Sequence, residues 1–388
     1  MFDFHDYVCL AASGGKECMV KMKKVLFLIK SLEGGGAEKV LLNYLIGLNN
    51  QNIDITVKTV FNIGIYINQL PSNVRYETII KKPTKFKMRV VHNLLTYLPD
   101  FMLRKIFLNK NTYDIEISFL EGNQCKLISS APKNIKKIAW IHQDISKLKE
   151  NLTGFKNFKC EFNCYKKFDK IICVSNDVKN NFEKKFKNKI PASTIYNPIN
   201  TNDIISKAGD IKKDYSVIRI CSIGRLVEAK RFDRLIEVTK NLKNLGYNIK
   251  TTILGEGILR DKLEKMIDLL ELNNNVELIG FQENPYSYLA SSDIFICTSD
   301  NEGFSLVVAE ALVLGIAVIS TNCSGPTELL ENGKYGKIVG KSTSALTDAV
   351  VNMIEKEEIQ QYSNLAKERS KIFDMQTSMI QLLKLMEK

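Results

Sequence analysis

Apolar runs of strand length alternate with helix-length segments along this chain, and the alternation stops once and then starts again. That pattern restricts the chain to an α/β architecture built twice. The first series opens at Lys23, where KKVLFLIKSL has the unbroken apolar character of a parallel strand buried on both faces. EGGGAE then makes a glycine turn, and KVLLNYLIGL has helical spacing. Further strand-like runs occur at Ile53 to Val60, Ile115 to Leu120, Lys137 to Ile141 and Lys170 to Val174. YNPIN at 196–200 ends the series, and the polar, lysine-containing stretch to Tyr215 reads as a linker.

The second series contains the strands VIRICSIG (217–224), NIKTTIL, NVELIGF, DIFICTS and IAVISTN, with the helix FDRLIEVTKNLKNLG closed by Gly246. Two doubly wound, Rossmann-like domains are therefore expected, each offering a ligand crevice at the carboxyl ends of its strands. The 388 residues exceed what one core usually organises, so a cleft between the domains is available. The expected boundaries are a disordered extension over 1–18 with Met19 or Met22 as the start, a first domain over 19–198, and a second over 199–370. A C-terminal helix over 371–388 would pack back on the first domain.

A net charge of +12 favours acidic partners, and no recognition motif points to nucleic acid. Nine cysteines without a CxxC pair or framework spacing argue against disulfides and structural zinc, and fit a reducing cytoplasm. The longest apolar candidate for a membrane span, Leu306 to Ile319, is interrupted by Glu310.

Three segments carry chemistry. Gly34, Gly35 and Gly36 lie between a strand and a helix, where residues without Cβ let backbone N–H groups approach an anion; a tight turn accounts for such glycines equally well. In GRLVEAKRFD, Arg225 and Lys230 stand between a strand and a helix, placed to stabilise negative charge on a leaving diphosphate, or else simply solvated. In SDNEGFSLVVAEALVLG, Glu302 ends a loop, Gly303, Phe304 and Ser305 begin a helix, and Glu310 lies about two turns along it. A carboxylate in so apolar a helix needs a partner.

In order along the chain, GGGAE, GRLVEAK, GEG (255–257), GF (280–281), EGFSLVVAE and GPTEL resemble the signature of the retaining family 4 glycosyltransferases of the GT-B fold. The resemblance extends from Lys23 to the C-terminus. It implies two facing Rossmann-like domains with parallel sheets and an interdomain cleft. It also implies that Arg225 and Lys230 hold the donor diphosphate, Glu310 the ribose and Glu302 the transferred sugar, assisted by the backbone amides of Gly303 to Ser305. His142, in WIHQD, matches the family histidine that touches the donor sugar. Two segments depart from the common pattern, Asn197-Pro198-Ile199-Asn200 and Gly325-Pro326-Thr327-Glu328; both resemble variants in bacterial capsule, O-antigen and lipid-linked oligosaccharide enzymes.

The implied reaction is a metal-independent hexosyl transfer, because no Asp-x-Asp motif is present to bridge a metal to the diphosphate. The expected donor is a UDP-linked hexose or N-acetylhexosamine, with galactose and N-acetylgalactosamine first. The expected acceptor is a glycan, carried on a polyprenyl diphosphate. A nucleotide-sugar epimerase of the same fold and a catalytically silent partner of another transferase are the alternatives. Between Lys81 and Lys110, eight basic residues and one acid interleave with large apolar side chains, and Lys147 to Lys189 holds twelve lysines with Phe155, Phe158, Phe162, Tyr165 and Phe168. Both stretches suit docking on an anionic membrane, which places the protein in the cytoplasm at the inner face of the membrane.

Overall fold

Val25 through Ile29 have no exposed surface, so the first apolar run is a strand covered on both faces. The structure, a computed structural model, describes residues 22–49, 51–108, 112–146, 154–209, 216–373 and 375–387. The expectations for residues 1–18 and for a start at Met19 lie outside the described residues.

The first domain contains β1 (Lys23–Ile29), β2 (Ile53–Phe61), β3 (Arg75–Ile80), β4 (Ile115–Ser118), β5 (Lys136–Ile141), β6 (Lys170–Cys173) and β7 (Ser193–Thr194). They form one parallel sheet in the order β3-β2-β1-β4-β5-β6-β7. The second domain repeats the arrangement with β8 (Ile218–Ile223), β9 (Ile249–Leu254), β10 (Val276–Gly280), β11 (Ile294–Cys297), β12 (Ala317–Thr321) and β13 (Lys337–Val339). Their order is β10-β9-β8-β11-β12-β13, again parallel. Strand order reverses between β1 and β4 in one sheet and between β8 and β11 in the other. Those two switch points are where such sheets open a crevice.

Three strands were not legible as apolar runs. RYETII of β3 alternates at a sheet edge, and β7 and β13 span two and three residues. The expected linker also differs from what is found, because Thr201–Ala208 is a helix. Asn200 accepts the Asp203 N–H at 3.1 Å as its N-cap, and Ile204 and Ala208 are buried. Residues 210–215, the rest of that stretch, lie outside the described residues.

The last helix, Met375–Met386, packs on the first domain. A Cβ on Gly47 would stand 2.8 Å from Met379 Sδ, Lys23 Nζ donates to the Met386 carbonyl at 2.8 Å, and Ser378 Oγ donates to the Tyr196 carbonyl at 2.9 Å. The chain thus crosses the cleft twice, at 196–200 and again before Met375.

Candidate active site

The loops that leave the two switch points carry most of the charged residues singled out in the sequence. Gly34 to Gly36 follow β1, and Gly34 needs its lack of a side chain because φ is +104° there. Gly35 is the N-cap of the helix Gly36–Gly47, and a Cβ on Gly36 would lie 3.6 Å from Leu306 Cδ1 of the other domain. Leu306 opens the helix Leu306–Val313, so two helix N-termini, each favourable to an anion, approach the cleft from opposite sides.

On the second domain, Arg225 follows β8 and is exposed, while Lys230 is half-buried. Lys230 donates to Glu302, which also accepts the Ser299 hydroxyl at 2.7 Å. Burial pulls the Lys230 ammonium down, but the Glu302 carboxylate outweighs it and holds the group above the usual lysine range. The residues read as facing different parts of a donor, Lys230 for diphosphate and Glu302 for sugar, therefore form one contact here. Arg225 stands close enough for its charge to act on Lys230 and, across the cleft, on Glu38. Burial raises the Glu38 carboxyl above its ordinary value, with Arg225 opposing.

Helical geometry starts at Leu306, later than the sequence spacing predicts, and Ser305 is the N-cap in the left-handed region at φ +67°. Its Oγ is buried and unpartnered. The Phe304 ring is buried against Tyr196 and Phe373, at centroid distances of 6.0 and 6.4 Å, so what Phe304 offers a ligand is its backbone amide. Glu310 is almost entirely buried and has the partner its apolar helix demands. Lys39 Nζ of the first domain donates to its Oε1 at 2.6 Å.

His142 follows β5. Its ring packs on Phe119 at 4.9 Å and on Trp140 at 6.4 Å, and its Nε2 is buried with no hydrogen-bond partner. Burial pushes the imidazole down to about 3, so it is neutral at physiological pH. The His142 backbone N–H donates to Glu121 Oε2 at 2.8 Å. Burial raises the Glu121 carboxyl, and that N–H opposes the rise.

The domains meet closely at this point. A Cβ on Gly303 would stand 1.9 Å from the His142 carbonyl oxygen, and Ser175 Oγ donates to the Gly303 carbonyl at 2.8 Å. Nearby, Glu328 of the GPTEL segment accepts the N–H groups of Asn176 and Asp177, both at 3.0 Å. The structure thus sets His142 of the first domain against Gly303, beside Glu302, and Gly36 against Leu306, with Glu310 reached from the first domain by Lys39. Sequence reasoning missed Lys39, Glu121, Tyr286 and Ser299. Two had a signal: Lys39 directly follows GGGAE, and Glu121 precedes a glycine at the carboxyl end of a strand.

Residues 34–203 match the family described as Glycosyltransferase Family 4, and residues 203–371 match the one described as Glycosyl transferases group 1. A Campylobacter jejuni protein, N-acetylgalactosamine-N,N'-diacetylbacillosaminyl-diphospho-undecaprenol 4-alpha-N-acetylgalactosaminyltransferase, is 31% identical over 278 residues, 69% of this chain and 72% of its own length. The chain belongs to glycosyltransferase family 4. Two crystal structures share the fold of this family 4 glycosyltransferase. HepE of Anabaena, solved with UDP and glucose, gives a TM-score of 0.72 at 20% identity over 94% of this chain and 99% of its own. TarM of Staphylococcus aureus, solved with UDP and other ligands, gives 0.73 at 16% identity over 95% and 100%. The architecture is GT-B.

Proposed function

We propose that this glycosyltransferase moves a hexose or N-acetylhexosamine from a UDP-linked donor to a polyprenyl diphosphate-linked glycan in surface polysaccharide synthesis, retaining the donor's anomeric configuration. The observation that carries the reading is the meeting of two switch points. A cation pair, two carboxylates and a neutral histidine with an unpartnered nitrogen converge there on one cleft. The C. jejuni relative, named for a lipid-linked acceptor, and the UDP in HepE and TarM support the same substrate classes. Galactose and N-acetylgalactosamine are the first donors to test, on the Gly325-Pro326-Thr327-Glu328 variant.

In this reading Arg225 and Lys230 stabilise the charge that grows on the leaving diphosphate, and the amides at Gly36 and Leu306 add to it. The neutral His142 holds a hydroxyl of the transferred sugar through Nε2. As the C1–O bond to the diphosphate breaks, the acceptor oxygen bonds to C1 from the same face, and the departing phosphate takes the acceptor proton. Glu302 is already engaged by Lys230 and Ser299, which favours this route over a covalent sugar on Glu302. These cations and helix ends fill the role a metal would serve, so activity is expected to survive EDTA.

The acceptor would be reached from a membrane surface. No helix among the described residues is long and apolar enough to cross a membrane. The helices Lys85–Tyr97 and Asp100–Phe107 expose Phe86, Tyr97 and Phe101 by 76%, 67% and 67% of their surface. Phe86, Val90 and Tyr97 share one helical face, within about 40° of each other. The helices are firmly seated: Lys126 Nζ donates to the Leu95 and Leu98 carbonyls at 2.8 and 2.6 Å, and Arg104 binds Glu116 through two 2.7 Å contacts. The stretch from Lys147 to Lys189 differs. Phe155 and Tyr165 are buried, Phe162 and Phe168 half-buried, and of the five aromatics named there Phe158 is the exposed one. Four of its five named rings pack wholly or partly into the first domain, and the two helices are the proposed docking surface.

A donor screen with purified protein and a polyprenyl diphosphate oligosaccharide, read by mass and by the anomeric coupling of the product, tests the enzymatic reading. Transfer from a UDP-sugar with retained configuration supports it; preference for GDP-mannose or an inverted product overturns it. Flotation with phosphatidylglycerol vesicles tests docking: salt-sensitive binding supports it, and no binding to anionic vesicles defeats it.

A further inference from the structure

Lys39 stands just past the glycine loop, in the first turn of the helix Gly36–Gly47, and its side chain crosses to the other domain. Its ammonium donates to Glu310 Oε1 at 2.6 Å and to the Tyr286 hydroxyl oxygen at 2.7 Å, and the Tyr286 hydroxyl donates to the same Oε1 at 3.3 Å. Two of these contacts converge on one carboxylate oxygen, and the third ties their two donors to each other. Among the described residues, none donates a hydrogen bond to the other oxygen, Oε2.

The pair is unequal in its exposure. The Glu310 side chain is 5% exposed, whereas Lys39 retains 28%. A carboxylate so nearly dry keeps a fixed orientation only while its cation is present. Asn43, one turn further along the Lys39 helix, donates to the Pro198 carbonyl at the domain crossing, so this helix is tied to the hinge as well as to Glu310.

We propose that Lys39 is a positioning residue of the donor site. It fixes the Glu310 carboxylate through Oε1 and leaves Oε2 to accept the ribose hydroxyls of the nucleotide, which makes ribose recognition by the second domain depend on a cation supplied by the first. This rests on the reading that a nucleoside diphosphate sugar is the donor. Its consequence is reciprocal coupling, in which closure orients Glu310 for ribose and bound ribose favours closure. A purely structural tie between the domains would instead leave ribose discrimination untouched.

The test compares calorimetric affinities for UDP and for 2',3'-dideoxy-UDP in the wild type, Lys39→Met, Lys39→Arg and Tyr286→Phe. The wild type is expected to bind UDP about tenfold or more tightly than the dideoxy compound, as a charge-assisted hydrogen bond implies. Lys39→Met should lose about tenfold in UDP affinity and nearly all of the discrimination, and Lys39→Arg should recover part of both. Tyr286→Phe removes one hydroxyl without stranding a charge, and should reduce the discrimination about threefold even where Lys39→Met fails to fold. Full discrimination in a folded Lys39→Met, or in Tyr286→Phe when the former is unfolded, overturns the inference. A wild type that binds none of UDP, GDP and ADP overturns instead the proposed donor class.

Discussion

Gly303→Ala isolates the closest approach of the two domains. Residue 303 is not among those with positive φ, so the backbone itself would accept alanine. What forbids it is space: the new Cβ would lie 1.9 Å from the His142 carbonyl oxygen, 2.9 Å from its carbonyl carbon and 3.1 Å from Gln143 Cα. All three are backbone atoms of the other domain, so no side chain can turn aside. Raising the shortest contact to the 3.0 Å that real Cβ atoms respect requires a separation of about 1.1 Å, taken up by the Glu302 loop or by the whole cleft. A displacement of that size between His142 on one wall and Glu302 on the other should reduce kcat about 100-fold. UDP affinity should fall much less, by about tenfold at most, because Arg225, Lys230 and Glu310 keep their places within the second domain and only the Lys39 contact to Glu310 crosses the cleft. Initial-rate measurement of UDP release with the best donor and acceptor, beside calorimetric UDP binding, reads both quantities. Wild-type kcat in Gly303→Ala would refute the argument that catalysis needs these backbones in contact.

Three further outcomes follow from the same geometry. Arg225→Ala and Lys230→Ala should each lower turnover by about tenfold or more, and Lys230→Ala should perturb Glu302 as well; steady-state rates check both. Glu328→Ala uncovers two N–H groups at the start of the helix Asn176–Lys185 and should cost about 1 kcal/mol, measured as a lowered urea midpoint together with a larger radius of gyration in solution scattering. His142 should titrate near 3 by NMR instead of near 6.5. An unfolded chain binds that proton below pH 6.5 while the folded one does not, so this histidine reduces stability progressively as pH falls from 6.5 toward 3. Urea midpoints of His142→Gln should accordingly fall less steeply than the wild type's across that window.

The parallel strands were legible because burial on both faces leaves an unbroken apolar run, as in Val25 to Ile29, which nothing else in a short segment explains. β3, β7 and β13 were not, because a sheet edge or a three-residue pairing leaves no such run. The helix Thr201–Ala208 was hidden for a different reason. Its polar composition resembles a linker, and only Ile204 and Ala208, meeting the second domain, make it a helix. At the site, residues within one strand-to-helix turn were visible together: Arg225 with Lys230, Glu302 with Gly303. Ser299 is three residues from Glu302 and still carried no signal, since serine is common in loops.

Contacts between the domains have no local signature at all. Lys39 and Glu310 are 271 positions apart, and Ser175 and Gly303 are 128 apart. What links them is unfinished chemistry on each side. Ser175 Oγ caps the Val178 N–H at 3.2 Å, which leaves the first two amides of that helix without an internal acceptor, and Glu328 supplies two oxygens from the other domain. Glu310 likewise carries a charge that the second domain leaves to Lys39, with Tyr286 completing the contact. Each domain therefore presents polar groups that only the other satisfies, and these groups border the cleft where the donor is proposed to bind. The preference for a closed cleft is thus built from the same residues that line it, so substitutions along this seam should alter donor affinity and domain separation together.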